Sequence, residues 1–140
     1  MTLQLIRSAI EQPIIAAFGA VPVYVENQQY GDNDARSEFA LVRLQWGLMN
    51  EPSIGCSPGE LIRGVLIVEL FTAKGTGPGR AQDVITPVMQ ALCSFNQPQV
   101  GADPRITLGQ VSGPSFTPLD GRPHLMTRLS CPVRARYDGP

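Results

Sequence analysis

The stretch Leu61 to Phe71 constrains this fold more than any other part of the chain. It is proline-free and almost wholly apolar, and it carries a two-residue period. Ile62, Gly64, Leu66, Val68 and Leu70 fall on one face, all uncharged, and that face is expected to be buried. Leu61, Arg63, Val65, Ile67, Glu69 and Phe71 fall on the other, where two charges interrupt the apolar residues. A strand of this kind needs partner strands on its edges and a covering layer on its uncharged face.

The partners are written along the chain. Leu125, Thr127, Leu129, Cys131, Val133, Ala135 and Tyr137 form a second long alternation, whose opposite face holds Arg128, Arg134 and Arg136. Phe39 to Trp46 alternates as well, with Ala40, Val42, Leu44 and Trp46 the more apolar set and so the inward one. Val21 to Asn27 is a short β-branched run that Pro22 confines to a sheet edge or a strand start. Arg105 to Gln110 reads as one more strand.

Two amphipathic helices supply the cover. The first begins at Leu3 and runs to about residue 17, with Leu3, Ile6, Ile10 and Ile14 recurring at helical spacing, Leu5 and Ala9 beside them, and Gly19 as its stop. Pro13 is expected to kink it or end it early. The second runs from about Gly79 to Ser94, with Ala81, Val84, Ile85, Val88 and Leu92 inward. Pro78 suits its start, and Pro87 is expected to bend it. Loops are expected at about 28–37, 49–60, 72–79 and 112–123, the last turn-rich and extended. The expected order is α-β-β-β-α-β-β. It reads as an α+β fold: one domain over 1–140, a mostly antiparallel sheet, and two helices packed on one face.

Composition narrows the function. Fourteen Gly and thirteen Pro make about a fifth of the 140 residues, which limits helix and favours strands joined by loops. Charged residues are only 16 %, against a usual value of about 25 %. The net charge is −1, so the basic excess of a general nucleic-acid binder is missing. Ten of the cations are Arg and one, Lys74, is Lys. Arginine suits partly desolvated contacts with carboxylates. A charge-poor surface with arginine anchors fits a protein covered by partners; an arginine-rich genome explains the same count. Cys56, Cys93 and Cys131 are odd in number and far apart, so free thiols in a reducing compartment are expected. Neither a leader nor a run of roughly 18–20 apolar residues is seen, so a soluble intracellular protein is expected.

Tests for chemistry fail one by one. Phe71 to Arg80 has the strand, glycine loop and helix that a phosphate site wants. Its spacing matches neither the Lys-containing phosphate loop nor the dinucleotide fingerprint, since Arg80 stands at the third glycine position. His124 is the lone histidine and has no ligand or nucleophile context. Asp32 and Asp34 lie in a polar loop that lacks the remaining calcium-loop positions. Glu69 is expected to be satisfied by a cross-strand arginine. No catalytic residue, cofactor or metal is assigned.

Three segments in order carry a resemblance: Pro22-Val-Tyr-Val-Glu-Asn27 after the first helix; Gly64-Val-Leu-Ile-Val-Glu-Leu-Phe71 followed by Gly75-Thr-Gly-Pro-Gly79 and a helix; and Arg128-Leu-Ser-Cys-Pro-Val-Arg-Ala-Arg-Tyr137. Together they resemble the tail terminator, or tail completion, proteins of tailed bacteriophages, over roughly residues 3–137. Gln28 to Ser37 and Ser112 to Pro123 match poorly. The resemblance implies a non-enzymatic virion protein, made in the host cytoplasm. It implies a subunit of a homo-hexameric ring that caps the tail tube and stops its growth. Its partners would be further copies of itself, the tail tube protein, the neck or connector protein and, in a contractile tail, the sheath. DNA would only pass through the lumen, and no membrane is involved. Contact candidates are Trp46, Met49, Ile54, Lys74, Arg80, Arg134 and Arg136. The rival readings are a head-completion or neck adaptor, a small nucleotide-binding enzyme built on Gly75–Gly79, and a host binding module.

Overall fold

In the computed structural model, residues 3–19, 21–25, 38–47, 60–73, 79–95, 106–118 and 124–137 are described. Helix α1 (Leu3–Phe18) leads into β1 (Val23–Val25), β2 (Phe39–Trp46) and β3 (Glu60–Ala73). Helix α2 (Gly79–Cys93) follows, then β4 (Ile106–Leu108), β5 (Ser112–Pro118) and β6 (His124–Tyr137). The six strands form one sheet in the order β1-β2-β3-β6-β4, with β5 also paired to β6.

The two longest strands make its spine. β3 and β6 pair antiparallel along fourteen residues, from Glu60 opposite Tyr137 to Ala73 opposite His124. β2 lies antiparallel on the other edge of β3, from Phe39 opposite Phe71 to Trp46 opposite Gly64. β1 adds to β2 in parallel. β4 and β5 pair with different stretches of β6, residues 133–135 and 125–130. The α+β class and the mostly antiparallel sheet are as expected. The added element is β5, which occupies 112–118 where a turn-rich loop was expected. Its pairing slips between Ser112 and Ser115, around a cis Gly113–Pro114 peptide. That irregularity hides the strand's period from the sequence.

Both helices pack on one face. Ile6, Ile10, Ile14 and Phe18 of α1 and Ala81, Val84, Ile85, Val88 and Leu92 of α2 join one core. The sheet contributes Ala40, Val42, Leu44, Ile62, Leu66, Val68, Leu70, Leu129, Cys131, Val133 and Ala135. Each fully buried aliphatic side chain contributes roughly 1.5–3 kcal/mol against exposure. α1 does not end at Pro13: it continues to Phe18 and stops at Gly19, whose φ is +63°. α2 likewise continues through Pro87, which lies on its exposed side. The loop boundaries also tighten, because Glu60, Thr72 and Ala73 belong to β3 and Gly79 to α2.

Candidate functional site

The face of the sheet turned away from the helices is built from alternate residues of β2, β3 and β6. At one end Phe39 stacks on Phe71 with ring centroids 4.7 Å apart and an interplanar angle of 12°. Tyr24 meets Phe39 edge-on at 6.2 Å. These rings form an apolar cluster apart from the main core.

One row further along, Leu41, Glu69 and Arg128 stand opposite one another. Glu69 is only 5 % exposed and accepts from two arginines. Arg128 Nη2 donates to its Oε2 at 3.0 Å, and Arg43 Nη2 donates to its Oε1. Fixed donors on both oxygens are what a carboxylate at this depth requires. Three charges here leave a local excess of one positive charge. Beyond them come Ile67, half-buried, and Val65, 42 % exposed beside exposed Gln45 and Pro132. The far row places Arg63 directly opposite Arg134, with Thr107 on the other side of Arg134. Both arginines are exposed, and Arg63 has a contact of its own within the chain.

Arg134 is the one predicted contact residue whose side chain the structure places on this face. Trp46 instead turns to the core side, half-buried at the end of β2. It lies so close to Gly64 that a Cβ there would sit 2.7 Å from its Cε3 and 2.6 Å from the Gln45 carbonyl. That makes Trp46 a packing residue that only glycine opposite can admit.

Arg80 is at the other end of the sheet. Its Nε and Nη2 donate to the two oxygens of Glu38 at 2.7 and 2.8 Å, tying the start of α2 to the start of β2. The hydrogen bonds from Arg80 hold the Glu38 carboxyl below the usual glutamate range, and Glu38 raises Arg80 in turn. Trp46, Arg80 and Arg134 therefore do not converge. Met49, Ile54 and Lys74 lie outside the described residues. Arg136 lies in β6, but its side chain is not described.

Elsewhere, Cys131 is buried in the core, and burial raises its thiol pKa. Cys93 is exposed; Cys56, Asp32 and Asp34 lie outside the described residues, as do positions 74–78 of the glycine loop. Among the described residues, no three His, Cys, Asp or Glu side chains are grouped to hold a metal. No described helix is long and apolar enough to cross a membrane.

Sequence reasoning reached the Glu69 pairing but missed Arg43, the Tyr24–Phe39–Phe71 cluster and the Arg63–Arg134 opposition. The last needs the β3–β6 register, which no single strand's pattern contains.

No family model matches the chain, and no curated protein does. Solved structures do match it, 27 chains in all. One of them, from a protein that carries no functional name, aligns over 98 % of this chain and 97 % of that chain. The TM-score is 0.58 and the identity 17 %, a likeness of fold alone.

Proposed function

We propose that this chain is a structural virion protein: a tail terminator subunit that forms a hexameric ring on the tail tube and joins it to the neck. The observation that carries the reading is the unequal build of the two sheet faces. One is sealed by helices into a core. The other presents arginines around an exposed valine, in a chain with few charges to spare. Such a face suits a lasting protein contact, where arginine is enriched and apolar centres are desolvated. The three sequence segments that resemble tail terminators fall on the β1 region, on β3 with the start of α2, and on β6. Two of these segments include the spine of the sheet.

In this reading the mechanism is steric. One ring surface fits the last ring of tube subunits, and the opposite surface does not template another. Closed rotational symmetry ends the assembly. No cofactor, metal or catalysis is involved. Deleting the gene tests it in an infected host. Tubes that overrun their normal length, with heads left unjoined, are the expected result. Tails of normal length that fail only in joining heads would instead favour the neck-adaptor reading.

A further inference from the structure

We propose that Arg43 and Arg128, held in place by Glu69, form a binding site for one carboxylate of an acidic partner protein. Glu69 is the positioning residue of that site. The inference holds whether or not the chain forms a ring.

The ratio of cations to anion in this contact carries it. Arg43 on β2 and Arg128 on β6 flank β3 from opposite sides. Both reach the single carboxylate of Glu69, which gives one oxygen to each. Glu69 is buried, whereas the side chains of Arg43 and Arg128 are 39 % and 47 % exposed. A guanidinium group has five N–H donors, and Glu69 engages Nη2 of each arginine. Arg43 Nε is buried and finds no acceptor. Two fixed cations thus share one anion and keep donors to spare.

Stability does not account for the arrangement. Phe39, Leu41, Ile67 and Phe71 surround Glu69 on this face of the sheet. An apolar residue at position 69 would pack among them, and replacing a buried ionic group by apolar side chains is often neutral or stabilising. What the carboxylate does achieve is to fix two long side chains in advance, which lowers the ordering cost of binding. The ligand follows from charge. One further carboxylate brings the group to two cations and two anions, and its oxygens can accept from both guanidinium forks. A nucleic acid would bring a row of phosphates to a chain whose net charge is already −1, without the basic excess such a ligand needs.

The test follows the arginine Nε–H signals of the isotope-labelled full chain by NMR, assigned with Arg43→Lys and Arg128→Lys. The probe is the peptide Glu-Ser-Glu-Ser-Glu, set against Gln-Ser-Gln-Ser-Gln at matched ionic strength. The Arg43 and Arg128 signals should move together and saturate with the acidic peptide, and stay still with the amide one. Each lysine variant keeps a positive charge beside Glu69 and loses the planar fork. It should fold and bind the acidic peptide about tenfold more weakly. Glu69→Gln removes a negative charge, which by itself would tighten binding; a positioning role predicts weaker binding instead. Tighter binding by Glu69→Gln would overturn the role given to Glu69. Signals that stay still, or that move equally with both peptides, would overturn the site. A larger shift with a single-stranded oligonucleotide of equal charge would overturn the choice of ligand.

Discussion

Thr127 shows how finely the core side of the sheet is packed. Its side chain is fully buried on β6, and its hydroxyl finds no hydrogen-bond partner; the same holds for Thr72 on β3. A buried hydroxyl without a partner pays for its lost hydration and gets nothing back. Thr127→Val keeps the shape and removes the polar atom. It should stabilise the protein by about 1 kcal/mol, read as a higher urea midpoint at unchanged slope. A loss of stability would show that the hydroxyl has an acceptor. On the opposite face the logic reverses, because Glu69 is buried with both oxygens engaged. Glu69→Gln removes the charge that holds Arg43 and Arg128 together. A cost of about 1–3 kcal/mol is expected from the same titration; no measurable change would mean that the arginines are held by other contacts.

Elements are joined by contacts of this kind, and the clearest joins α2 to β2. Arg80 grips both oxygens of Glu38 across 42 positions of sequence. Because the folded state holds the Glu38 carboxyl below its ordinary value, the contact stabilises the fold above that value. The benefit is lost as pH falls through and below 4.5. Arg80→Ala should therefore be less stable than wild type at neutral pH. The gap should be constant toward mild base and close in acid, as followed by thermal melting against pH. A gap that survives full protonation of Glu38 would make the contact one of packing and not of charge.

How much could be read beforehand also differs by element. The inner stripes of α1 and α2 and the inward faces of β2, β3 and β6 follow directly from their periods, because burial on one face enforces them. β5 was not legible, since a pairing slip and two prolines (Pro114 and Pro118) break its alternation. Nor did Pro13 end α1, and α2 continues through Pro87, where a bend and not a stop was expected. Burial of Ile14 and Phe18 beyond Pro13, and of Val88 and Leu92 beyond Pro87, outweighs a lost helical hydrogen bond. Of the contact candidates, composition pointed to arginine, but only strand register separates Arg134 on the helix-free face from Arg80 in an internal pair.

The whole molecule is a sheet with two unlike sides. Its helix side explains the folded core, and its arginine side has no role in that core. A chain with 16 % charged residues that sets arginines beside an exposed valine suits the contact with another protein surface proposed above. Under the proposed tail terminator reading, that contact belongs to a ring at the end of a tube. Imaging of intact phage particles, with this chain fitted into the density at the junction of tail and neck, tests that claim most directly. The account predicts one closed ring of copies at the top of the tube. Density for this chain at any other place in the particle, or none at all, would contradict it.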